Sequence, residues 1–207
     1  MTPVVDEKKV QGKKKQKNKK KADPRKLEIF DACFALGGAC NWVGDFDDAI
    51  RYFKRAKEGC EEQLGRESEK AFHATYSLIP CTVMRGGEKI EKYRDLLKRC
   101  ERVLGVENVI TLETLNQLGS NLDDNEEYEE AKGVWERYLA GRVKVLGENH
   151  KDTLGTLNNL GVIYELGKDH EETKKCSRNF KKFLYASGNS ERFAQMITSC
   201  PGLAFEG

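Results

Sequence analysis

No apolar run in this 207-residue sequence approaches the length of a membrane-spanning helix, and its first residues lack the apolar core of a signal peptide. Histidine is scarce. His73, His150 and His170 lie far apart, with no metal-ligand partners at helical spacing. The seven cysteines are odd in number and include no C-x-x-C pair, which argues against a disulfide framework and against a zinc ribbon, and fits a reducing compartment. Cys60 and Cys100 each stand four residues before a Leu-Gly pair and read as small buried hydrophobes. Gly37-Gly38 and Gly86-Gly87 have no following Gly-Lys-Ser/Thr and no preceding strand, so no phosphate loop is present. Nothing places serine, histidine and aspartate on one elbow. The expectation is no catalytic residue, no cofactor and no bound metal.

What is there is charged, helical and repetitive. Charged residues make up 34% of the chain, which suits long solvated helices. A step of 42 carries Val103-Leu104-Gly105 onto Val145-Leu146-Gly147, Thr111-Leu112 onto Thr153-Leu154, and Leu118-Gly119 onto Leu160-Gly161. A fixed period of this size marks stacked supersecondary units. Within one unit Leu112, Leu115, Leu118 and Leu122 share a helical face. After a polar break a second helical set follows: Tyr128, Ala131, Trp135, Tyr138, Leu139 and Val143. Two amphipathic helices joined by a turn cannot bury their apolar faces alone, so such hairpins stack.

Leu157-x2-Leu160-Gly161-x2-Tyr164 fits the first-helix pattern of the tetratricopeptide repeat, and Ala131-x3-Trp135, thirteen residues beyond Leu118, fits its second. The joint Leu146-Gly147-Glu148-Asn149-His150-Lys151-Asp152-Thr153-Leu154, leading into Leu157-Asn158-Asn159-Leu160, resembles the kinesin light chain type of this repeat, with Lys151 in place of proline. The resemblance covers most of residues 30–185 and lies in the repeats alone. The family's amino-terminal heptads have no counterpart, and a lysine-rich stretch stands in their place. It implies an all-α, right-handed superhelical solenoid of about four hairpins over residues 27–200, with a short capping helix and a C-terminal tail at 201–207. It also implies a scaffold that binds a peptide segment of a protein partner on its concave face.

Along the chain, residues 1–26 carry eleven basic side chains against three acidic ones, a surplus of eight that leaves −6 for the rest of a chain whose total is +2. Almost no apolar residue interrupts this run, so a disordered tail is expected. Its composition fits a solvated tail, a nuclear address added to a cytoplasmic protein, or a weak non-specific hold on nucleic acid or an acidic surface. The last would make the protein an RNA- or ribosome-associated factor. No aromatic is interleaved for base stacking. Asp23-Pro24 offers a helix start, and Cys33-x2-Leu36-Gly37 with Ala49-x3-Phe53 repeats the spacing of the central unit. Phe30, Phe46, Ile50 and Phe53 are expected to supply core bulk there, with the turn at Gly44-Asp45. The second hairpin is degenerate. Its step is 40, Pro80 shortens or bends the first helix, and Gly86-Gly87 is expected to be a loose turn. The fourth hairpin weakens at Thr173 and Ser177, and a short last helix is expected around Phe193.

First helices line the inner face of such an array. Positions two before the leucine of each first helix are Phe34, Tyr76, Asn116 and Asn158, and an asparagine amide there can both donate to and accept from a peptide backbone. The neighbouring candidates are Glu113, Ser120, Asp124, Glu165, Asn41 and Trp42. Oligomeric state is not legible at this level.

Overall fold

The computed structural model describes residues 22–148, 150–167, 175 and 178. Among them are seven helices and no strand: α1 (Pro24–Trp42), α2 (Phe46–Leu64), α3 (Glu69–Cys81), α4 (Gly86–Leu104), α5 (Val109–Asp124), α6 (Tyr128–Leu146) and α7 (Lys151–Leu166). The lysine-rich stretch up to residue 21, the second helix expected after α7 (apart from Lys175 and Arg178), the last short helix and His170 lie outside the described residues.

Local chemistry sets the helix ends. The first amides of a helix have no intrahelical acceptor, and side chains supply one. Asp23 accepts from the Arg25 amide at 3.0 Å, Asp45 from Asp48 at 3.1 Å, Ser68 from Ala71 at 3.3 Å and Asn108 from Ile110 at 2.9 Å. His150 Nδ1 does the same for the Asp152 amide at 3.2 Å, which gives this joint histidine a structural role. The three Leu-Gly joints stop α2, α4 and α6 with glycines at φ +96, +89 and +90°, a backbone region that a Cβ strains. The repeated Thr-Leu pair explains itself here. The Thr111 hydroxyl donates to the Gly105 carbonyl at 2.8 Å and Thr153 to Gly147 at 2.9 Å, so each buried threonine ties a joint to the helix that follows.

Consecutive helices pair as hairpins, α1 with α2, α3 with α4 and α5 with α6, and each second helix also packs on the next first helix. One continuous apolar core runs from Phe72 to Tyr164 and includes Leu118, Trp135 and Leu160. Small residues allow the helices to approach. A Cβ on Gly37 would lie 2.8 Å from the Phe53 ring, and one on Gly119 would lie 2.8 Å from Trp135. Cys60 and Cys100 are buried, and burial pushes both thiols up from their ordinary pKa, as expected of small core residues.

The degenerate hairpin does have a short first helix, α3, of 13 residues. Pro80 sits one residue before its end, where the ring supplies no amide for the Tyr76 carbonyl, and Thr82 turns extended. Two expectations are corrected. Gly86 and Gly87 are the first residues of α4, not a loose turn, because the first helical amides need no intrahelical partner and glycine is tolerated there. Phe46 is half exposed at the start of α2, because no element covers that end of the array among the described residues.

Candidate functional site

The first helices α1, α3 and α5 contact one another along one side of the array, and that side carries coupled polar and aromatic groups. Between α1 and α3, the Phe34 and His73 rings lie 4.3 Å apart, with Phe53 behind Phe34 at 5.4 Å. Lys70 Nζ bonds Asp31 at 2.5 Å beside them. Burial pulls the His73 pKa below its usual value, opposed by the carboxylates of Glu69 and Glu113. The neutral imidazole, its ring tilted 40° against that of Phe34, is therefore favoured near neutral pH. A cavity of about 120 Å³ opens at this point, with Phe30, Phe34, Ala56 and Ala74 as walls and the buried Cys60 among its lining.

Between α3 and α5, the Tyr76 hydroxyl donates to Glu113 at 3.4 Å. Burial first, then the negative charge of Glu113, pushes the Tyr76 pKa up to about 12, so the phenol stays a donor. Arg142 of α6 reaches between α5 and α7, 4.0 Å from Glu113 and 3.2 Å from Asp152, with its guanidinium 4.8 Å from the Tyr138 ring centre. Asn116 and Ser120 follow Glu113 at helical spacing on α5 and are half-buried, and among the described residues neither side chain has a hydrogen-bond partner.

The remaining candidates are less uniform. Asn41 is occupied, its carbonyl oxygen accepting from the Cys81 thiol at 3.3 Å. Trp42 is 88% exposed at the end of α1. Asp124 and Glu165 are exposed near the ends of α5 and α7. Asn158 lies on α7, one step of 42 beyond Asn116. Four residues beyond the sequence candidates join the site: Asp31, Lys70, His73 and Arg142. Asp31 and His73 precede Phe34 and Tyr76 by three, as Glu113 precedes Asn116, so the same register rule reaches them. Arg142 belongs to a second helix, and no first-helix rule finds it.

Comparison with known proteins follows from this geometry. The sequence model of the tetratricopeptide repeat family matches residues 111–152, one 42-residue step running from α5 to the start of α7. No curated protein matches the chain by sequence. Among solved structures, BtubC (BKLC) from P. vanneervenii is similar at a TM-score of 0.66 and 22% identity, over 82% of this chain and 67% of that one. A kinesin light chain protein of Podosopora anserina with nearly identical TPR-like repeats gives 0.62 and 13% identity, over 87% and 97%. A Rap protein solved in complex with competence and sporulation factor gives 0.62 and 10%, over 77% of this chain and 43% of its own length. These likenesses are of fold. Residues 111–152 match the tetratricopeptide repeat model, and the described chain is an all-helical array of stacked hairpins with tetratricopeptide-like and kinesin light chain-like structures among its neighbours in fold.

Proposed function

We propose that this chain is a non-catalytic interaction scaffold that holds an extended segment of a protein partner along the face of its first helices. The observation that carries the reading is the row Phe34–His73, Tyr76–Glu113, Asn116 and Ser120, in which adjacent first helices present coupled groups at one register position. The free amide of Asn116 and hydroxyl of Ser120 are matched to a peptide backbone, whose donors and acceptors also need partners. Asn158 stands on α7, one repeat step beyond Asn116. An extended peptide rises about 3.3 Å per residue, so a few residues bridge neighbouring helices roughly 10 Å apart. The cavity beside Phe34 and His73 would take an apolar side chain of that segment. A Rap protein of similar fold that holds a factor is consistent with this use of stacked helical hairpins.

The test is a selection of randomised peptides against the folded chain, followed by titration of the tightest peptide. Substituting Asn116 and Asn158 together by alanine removes hydrogen bonds with little packing, so affinity should fall by about 1–3 kcal/mol while helix content stays the same. Unchanged affinity in a folded double variant would move the binding site off this face.

A further inference from the structure

Among the described residues, nothing covers the face of α1 that the other first helices bury. In register, Ala32, Leu36 and Ala39 of α1 match Ala74, Leu78 and Cys81 of α3, Thr114, Leu118 and Asn121 of α5, and Thr156, Leu160 and Ile163 of α7. On α3, α5 and α7 the second helix of the preceding hairpin covers this face, and Leu118 is 2% exposed. Leu36 is 47% exposed, and Ala32 and Ala39 are exposed beside it. No charged side chain occurs from Ala32 to Gly44, and the exposed Ile29, Trp42 and Val43 extend the patch. A contiguous apolar surface of this kind marks an interface.

The charges at its two ends are of opposite sign. Arg25 and Lys26 stand at the amino end of α1, while Asp45, Asp47 and Asp48 stand just past its carboxyl end. Arg25, Ile29, Ala32, Leu36, Ala39 and Val43 follow one another at three- and four-residue steps, so basic end and apolar stripe share a side of the helix. We propose that this face seats a second copy of the chain, packed antiparallel across a two-fold axis at Leu36. With Leu36 on the axis, each residue meets the one equally far on the other side. Ile29 then meets the partner's Val43, and Arg25 overhangs the partner's last α1 turn, where the acidic start of α2 with Asp45 and Asp47 follows. From Leu36 to Arg25 is eleven residues, about 16 Å of helical rise, whereas α1 runs only six residues, about 9 Å, past Leu36 before the chain turns into α2, so each Arg25 reaches past the partner's helix end towards its acidic turn. The alanines let the two backbones approach. Opposed helices also set each positive amino end beside a negative carboxyl end.

Other occupants match the patch less well. Residues 1–21 carry nine lysines and only four large apolar side chains, Met1, Val4, Val5 and Val10, and their charge is that of Arg25. A head-to-tail contact would join α1 to an unlike surface and would not stop at a dimer. A two-fold contact is self-complementary here in both apolarity and charge.

Sedimentation of the full chain over two decades of micromolar concentration should show a monomer–dimer equilibrium that stops at the dimer. Leu36→Glu puts two carboxylates on the axis, and it should weaken dimerisation by about 100-fold or more without unfolding the monomer, since Leu36 is exposed in it. Arg25→Glu and Asp47→Arg should each weaken it by about tenfold, and the double exchange should restore it, which simple misfolding would not do. Any of four results would overturn the proposal: a monomer at every concentration, growth beyond the dimer, a dimer indifferent to Leu36→Glu, or a monomer that dimerises only once residues 1–21 are removed. The groove proposed for a peptide lies on a different side, so neither test decides the other.

Discussion

Asp123, in the last turn of α5, gives a test of the electrostatics at one end of the array. Its Oδ2 accepts from Trp135 Nε1 at 2.9 Å, while its Oδ1 is buried without a partner. Burial pushes its pKa up from 3.8 to about 6, against the lowering effect of the Trp135 bond and with a further push from Asp124. The folded state therefore holds the proton more tightly than the unfolded chain. The resulting stability is whole below pH 3.8 and is lost as pH rises through about 6. Two pKa units at 1.36 kcal/mol each set a ceiling of about 3 kcal/mol. The carboxyl is only half withdrawn from water, and screening reduces the effect to about 1 kcal/mol.

Asp123→Asn keeps a carbonyl acceptor for Trp135 and places an uncharged NH2 where the unpartnered oxygen lay. The variant should be more stable than the parent by about 1 kcal/mol at neutral pH, and the gain should vanish as pH falls below about 4. Urea unfolding of both proteins, followed by circular dichroism from about pH 4 to pH 8, reads this directly, because the titration of every other group cancels in the difference. A difference that does not change with pH would show that Asp123 does not titrate where the buried geometry puts it, and the reasoning would fail.

Two packing predictions follow from the close contacts. Leu118→Ala should cost about 2–5 kcal/mol in urea unfolding, because Leu118 lies within the continuous core, and a variant as stable as the parent would disprove the register. Gly119→Ala should cost about 1–3 kcal/mol, since its Cβ would lie 2.8 Å from an indole held by both the core and Asp123, whereas Gly133→Ala, with open space around it, should gain about 0.5–1 kcal/mol of helix propensity.

Much of this architecture is legible in the order of residues because a repeat imposes the same physical demands at each step. A helix that must stop needs the left-handed glycine of Leu-Gly, two of the three joints are held by the threonine six residues on, and a close crossing needs Gly119 opposite Trp135. These are local demands, and each leaves a residue type at a fixed spacing. Phe34, Tyr76 and Asn116 could be placed on one face by the same periodicity, which also reaches Asp31 and His73. Pro80 likewise signalled the shortened α3.

Tertiary structure alone decided the rest. Whether Leu36 is core or surface depends on what lies against α1, and Leu36, Leu118 and Leu160 occupy one register position with opposite outcomes. The helical start at Gly86 and the exposure of Phe46 depend likewise on their surroundings and not on local propensity. Arg142 enters the site from a second helix, and the Phe34–His73 and Tyr76–Glu113 pairs join residues 39 and 37 positions apart. Sequence spacing determines which way a side chain leaves its own helix; what it meets there is set by the stacking of one hairpin on the next.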